Sequence, residues 1–227
     1  NPYEALLHFS GLQPKRYKYP QIFLATSTFT VDTGGRGRVN ETTQTTWQLS
    51  HDSATGSSAT SAGIECTDNN VGSFEISRGF APFDTSSLPD TIVSRDSGFV
   101  RLIATGASLT NDSTTALHIV DSTQASNTAL VTADFDQLGT TTYGNVTLAN
   151  WVNTNLSNND IALDAAGLLK VILTGFTPFG IRLNNDRTNS APTSGQANDV
   201  SWKHDTMLLS FTYTPVDVTG NKQYSYF

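Results

Sequence analysis

The stretch SFEISRGFAPFDTSSLPDTIVSRDSGFVRLIATG (73–106) decides the fold class. Phe74 and Ile76 alternate, and after a slip near Gly79 the positions Phe80 and Phe83 resume a strand-like pattern, which predicts a bulge at Gly79. Phe83 ends the strand. Asp84 and Ser86 have side chains that can bond backbone N–H groups in the turn, and Pro89 fixes the exit. GFVRLIATG then sets Phe99, Arg101 and Ile103 against Val100, Leu102 and Ala104, the pattern of a central strand covered on both faces. Two strands joined by a hydroxyl-rich turn read as antiparallel β structure.

The same grammar extends outward. IFLATSTFTV from Ile22, TALHIVDS, NDIALD, PFGIRLN and TMLLSFTYTP are short β-branched or aromatic runs. The last places Met207, Leu209, Phe211 and Tyr213 on one face. LDAAGLLKVILTG predicts the one short helix, with Asp164 as its N-cap and Gly175 at the left-handed position past its end. Residues 32–63 are rich in Gly, Ser and Thr; TTWQLS, with Trp47 and Leu49, is their one expected strand, and HDSATGSSATSAG (51–63) is expected to be loop. Long spacers between strands favour a jelly-roll β-sandwich over a meander, and there is no tandem repeat.

Composition agrees. Of 227 residues 37% are hydrophobic and 15% charged, while Ser and Thr together number 56, with 17 Asn and 17 Gly. A coiled coil or helical enzyme needs more Lys, Glu, Leu and Ala. No run approaches the ~20 apolar residues of a membrane-spanning helix, and no signal-peptide pattern opens the sequence. The lone Cys66 excludes an internal disulfide and any cysteine metal cluster and is expected to pack as a small hydrophobe.

The net charge of −7 argues against a nucleic-acid binder. Its distribution is uneven. Residues 1–38 carry five cations and two anions, a balance of +3, and the remainder carries eight against eighteen, a balance of −10. This suggests three parts: a basic, aromatic arm (1–21), a sandwich body (22–215) and a tail (216–227). Tyr3, Phe9, Lys15, Arg16, Tyr17, Lys18 and Tyr19 in the arm, with Tyr224 and Tyr226 at period-two spacing in the tail, are the candidate assembly contacts.

Catalytic signals are weak. His8, His51, His118 and His204 show no metal-ligand spacing, and Ser50-His51 lacks a nucleophile elbow. Glu65, Asp68, Glu75, Asp84, Asp134 and Asp136 are scattered over strand ends and turns, where Asp serves as a turn or cap residue. The segment TADFDQLG lacks a calcium-loop pattern, and the glycines at 34, 35 and 37 do not lead from a strand into a helix as a phosphate loop does. No cofactor and no metal site is expected; a structural calcium on backbone carbonyls would leave no spacing signature. Flat aromatics in polar surroundings are the stronger lead. Trp47, Tyr143, Trp151 and Trp202, with Arg182 and Arg187 as donors, are candidates for stacking on sugar rings, against the alternative that each ring anchors the core. Asn40, Asn111, Asn145 and Asn155 open N-x-[ST] tripeptides, which permit glycosylation.

RGFAPFDTSSLPDTIV with GFVRLIATG (78–106), LHIVDSTQASNTALVTADFDQLGTT (117–141), DIALDAAGLLKVILTGFTPFGIRLNND (160–186) and the closing LLSFTYTP together resemble the DNRLRE-type carbohydrate-binding-module group. The resemblance is strongest to the variants in phage and bacterial surface proteins. It spans about residues 22–215; the hexapeptide that names the group is absent and residues 32–68 do not follow its pattern, so no ligand residue is carried over. It implies a jelly-roll sandwich on a virion surface or in an extracellular setting. Two expectations follow. The first is a non-enzymatic structural protein of a virion exterior (decoration, fibre or tail), present in several copies or as a homo-oligomer, whose arms grip neighbouring assembly proteins. The second is a module for a cell-surface or extracellular polysaccharide, with host glycans as ligands.

Overall fold

A computed structural model describes residues 23–61, 64–110, 115–154 and 156–216. Every ladder among them is antiparallel, and the strands form two layers. The molecule is an all-β sandwich.

The first sheet runs β1 (Ala25–Thr30), β12 (Leu208–Pro215), the opening half of β6 (Ile92–Thr110) and β9 (Asn158–Ala162). The second runs from the closing half of β6 through β11 (Ala197–Trp202), β4 (Ile64–Asn70), β5 (Phe74–Asp84), β10 (Phe176–Leu183) and β7 (Ala116–Ser122) to β8 (Leu138–Thr147). On the other edge of β5 lie β2 (Gly37–Gln44) and then β3 (Ser58–Thr60). The 19-residue β6 belongs to both sheets. It pairs with β12 from Arg101↔Leu208 to Ile92↔Pro215, and with β11 from Ala104↔Trp202 onward. One bent strand thus makes a corner of the sandwich, as sheet-switching strands do.

The expected inward face of β12 is present: Met207, Leu209, Phe211 and Tyr213 are all buried. They meet Leu102, Leu117, Ile119, Phe83, Phe179, Ile181 and Trp202 in the main core between the sheets. A second, smaller core sits on the outer face of the second sheet, where Ile76, Phe80 and Val120 are covered by Val39, Trp47, Phe135 and Leu138. Burial on both faces explains why β5 is closed to solvent from Ile76 through Phe83. The turn after it follows the sequence reading, with the Ser86 N–H donating to Asp84 Oδ1 at 3.0 Å.

Four local expectations are corrected. TTWQLS is not a strand: Trp47–His51 is a helix, α1, begun by Thr46, whose Oγ1 accepts the Leu49 N–H at 3.4 Å. The nominally loop-like 32–63 region also supplies β2 and β3, because the open edge of β5 gives polar residues a ladder to join. Among the described residues, three α-helices and a 3-10 turn (Thr132–Asp136) replace the single helix expected. Of these, α2 (Ala165–Lys170) has the predicted cap, Asp164 Oδ1 accepting the Gly167 N–H at 2.7 Å, but it ends well before Gly175; α3 is Asn184–Thr188. Finally, Gly79 is no bulge. It pairs in register with Ile181 and Arg38, and a Cβ there would stand 3.2 Å from both Ile181 Cβ and Trp202 Cζ2. Close packing, not a kink, crowds the position, so that a side chain there would require its neighbours to give.

Candidate functional site

Among the described residues, two of the places that depart from the usual rule of apolar inside and polar outside form clusters: one buries charge and the other exposes apolar side chains.

The buried charge lies on the outer face of the second sheet. Arg78 on β5 and Arg182 on β10 point to the same side of their strands as Phe80 and Gly180, toward α1 and α3. Between them Asp186, near the start of α3, is 1% exposed. Its carboxylate accepts Arg78 Nη2 at 2.7 Å and Arg182 Nε at 2.6 Å, with further bonds from Arg78 Nε and Arg182 Nη2. The remaining guanidinium donors also find acceptors. Arg78 Nη1 donates to the Phe135 carbonyl at 2.8 Å and Arg78 Nη2 to the His51 carbonyl at 3.0 Å, while Arg182 Nη1 reaches the carbonyls of Leu138 and Gly139. The Arg78 guanidinium also lies 4.0 Å from the centre of the Phe135 ring. Outside this triad, His51 joins Asp52 (Nδ1 to Oδ1, 2.5 Å) to the Asp186 carbonyl (Nε2 to O, 2.9 Å).

Burial alone would raise the Asp186 pKa, but the charges and hydrogen bonds of Arg78 and Arg182 outweigh it and hold the carboxyl well below the usual carboxylate range. A carboxylate so fully engaged is poor as a base or nucleophile. The cluster is a tie that fastens β5, β10, α1, α3 and the 3-10 turn to one another. Sequence reading missed it, although a signal existed: SRGFAPF and FGIRLN each set an Arg inside an otherwise buried strand, and such a charge needs a partner.

Three other buried titratable groups have similarly local duties. Cys66 is buried, its Sγ donating to the Ile181 carbonyl at 3.1 Å, and burial pushes its thiol pKa up. Asp134 accepts the N–H groups of Ala125 and Val131, both at 2.9 Å. His118 on β7 is held near a pKa of about 4, first by burial and then by the charge of Arg187, against a hydrogen bond with Asn184.

The proposed stacking rings do not share an open face. Trp47 is 6% exposed, Tyr143 4%, Trp151 6% and Trp202 2%. Trp47 donates through Nε1 to Asn189 Oδ1 at 2.9 Å and meets Phe74 edge-on; Tyr143 meets Phe179 edge-on; Trp202 Nε1 donates to Met207 Sδ at 3.0 Å. Each is a core anchor. Arg182 is in the buried cluster, and Arg187 binds the Thr140 carbonyl and Asn184. The correction has a physical reason: short polar segments around a Trp say little about whether a neighbouring strand covers it.

A cluster of exposed apolar side chains lies at one end of the first sheet. Ala25 of β1 stands opposite Tyr213 of β12, and Pro215 stands opposite Ile92 of β6. The body is therefore entered and left at the same end. Around it Phe23 is 71% exposed, Leu24 63%, Val93 67% and Val216 44%. The arm candidates Tyr3, Phe9, Lys15, Arg16, Tyr17, Lys18 and Tyr19 and the tail candidates Tyr224 and Tyr226 lie outside the described residues.

No helix among the described residues is long and apolar enough to cross a membrane. No protein-family model matches the sequence, and no curated protein matches it.

Proposed function

We propose that this protein is a non-enzymatic structural component of a multi-copy assembly, held to its neighbours by the segments that flank its sandwich. One observation carries the reading: entry and exit lie at the same end of one sheet, inside a patch of exposed apolar side chains. Soluble monomers seldom leave such a patch uncovered, whereas interaction surfaces use one. The basic balance of residues 1–38 against an acidic remainder adds an electrostatic reason for one copy's arm to approach another copy's body. The resemblance of 78–106 and the segments after it to phage and bacterial surface modules supports a place on a virion exterior.

The test is sedimentation velocity of the whole chain over a concentration series, beside a chain lacking residues 1–21. The whole chain is expected to form species larger than the monomer, weakened by arm removal and by high salt. A whole chain that stays monomeric at every concentration overturns the reading.

A further inference from the structure

The exposed apolar end continues into a groove with an unpaired strand edge. On one side β6 is paired with β12 as far as Ile92, with bulges that skip Asp96 and Val93. On the other, β9 pairs only with Phe99 to Ile103, and the Leu163 N–H closes onto the Gly98 carbonyl at 2.9 Å. Among the described residues no strand continues that edge along 92–97. Instead α2 stands off from it. Arg95 Nη1 donates to the carbonyls of Leu168 and Val171, at 2.8 and 2.6 Å, which fixes the last turn of α2 over the strand. Leu168 packs toward the core while Leu169 is 72% exposed. The space between is a groove of about 420 Å³ lined by Ile92, Val93, Arg95, Ala165, Leu168 and Leu169.

Building on the assembly reading, we propose that this groove is the acceptor for the C-terminal segment, residues 217–227, of a neighbouring copy, added as a strand along 92–97. The chain leaves β12 at Pro215, directly across β6 from the groove, and residues 216–227 come next. The last of them, KQYSYF, have the required pattern. In an extended strand Tyr224 and Tyr226 project to one side about 7 Å apart, able to set two rings against Val93 and Leu169 while the backbone satisfies the open edge. Tyrosine suits a groove that is apolar below and wet above. The N-terminal arm fits less well. It joins the sheet at β1, separated from β6 by β12, and its prolines at 2, 14 and 20 remove ladder donors. Direction favours exchange between copies. A tail returning to its own groove would enter from the end at which β12 leaves and so run parallel to β6, after rounding that strand's end. A neighbour's tail can lie antiparallel, the better-bonded arrangement. Two reciprocal tails, four tyrosines at about 150–250 Å² each, approach the area of a specific interface.

Four whole-chain proteins decide the matter by sedimentation equilibrium: wild type, Tyr224→Ala with Tyr226→Ala, Leu169→Asp, and an equimolar mixture of the two variants. Leu169 is exposed, so below the association range the circular dichroism and melting temperature of each variant should match the wild type. Each variant alone is expected to dissociate at least about tenfold more readily than wild type. The mixture should recover association, because one intact groove and one intact tail remain between the partners. Assembly unchanged in both variants overturns the groove proposal and leaves the assembly reading standing. Assembly lost in Leu169→Asp but kept in the tyrosine variant overturns the tail as occupant, pointing to edge-to-edge pairing of grooves. A wild type that stays monomeric overturns both the groove proposal and the assembly reading; a melting temperature that then falls in the tyrosine variant shows that the tail closes its own groove.

Discussion

The Arg78–Asp186–Arg182 cluster and the open end of the first sheet are mirror-image exceptions. In the first, charges sit where apolar side chains normally go, yet both guanidinium groups and both carboxylate oxygens meet partners at 2.6–3.2 Å. In the second, Phe23, Leu24, Val93 and Leu169 sit where polar side chains normally go, and the described residues offer them nothing comparable. Buried charge with complete pairing belongs to the fold, because the pairing has already used the chemistry the groups possess. Exposed apolar surface beside a free strand edge keeps its interaction free energy unspent, available to a partner. The more reactive-looking of the two regions is thus the structural one.

The largest effect that would break this contrast is at Asp186. Asp186→Ala leaves two buried guanidinium groups facing each other without a counter-charge, and a loss of about 3–5 kcal/mol is expected, read as a lower denaturation midpoint in urea. Replacing all three members with apolar residues of similar volume should recover much of that loss, as it does when a buried ion group serves structure alone. If the apolar triple variant folds at wild-type stability but no longer assembles, the cluster has a role beyond the fold and the contrast fails.

These two regions were unequally legible in the sequence. The strands were clear because period-two runs such as Met207, Leu209, Phe211 and Tyr213 state their own inward face, and the α2 cap was clear because Asp164 acts within three residues of itself. Helix α1 was hidden: five residues carry too little periodicity, and Trp47 is buried by Phe74 and Asn189, which no local pattern announces. Strand β2 was hidden for a related reason. GRVNETTQ is polar, yet Val39 and Glu41 are buried because β5 presents an edge to them. The charge cluster needed the pairing of residues 108 positions apart. The groove needed the knowledge that β9 stops short of residue 98, a fact of ladder length and not of residue type.

His118 gives a smaller and more specific test of the idea that buried polar groups here serve stability. Its folded-state pKa, near 4, lies below the ordinary histidine value, so the unfolded chain takes up the proton first as pH falls. The contribution is present in full above pH 6.5 and is lost as pH falls through that value toward 4, amounting to at most about 3 kcal/mol. Urea midpoints measured at pH 7.5 and 4.5 should therefore differ more for wild type than for His118→Gln. Equal pH dependence in the two proteins would mean that this side chain is not closed off as the sheet requires.

The smallest expected effect on the fold is the most telling for the other region. Val93 is 67% exposed and falls at a bulge that the β12 ladder skips, so Val93→Thr keeps the β-branched shape and removes only apolar surface already in water. A monomer held below its association range should change by no more than about 0.5 kcal/mol. Raised into the range where copies meet, the same substitution should shift the association midpoint, because apolar area that contributes nothing to folding contributes in full when a partner covers it. A large loss of monomer stability would show that Val93 is already packed within its own subunit, and the open end would then belong to the core after all.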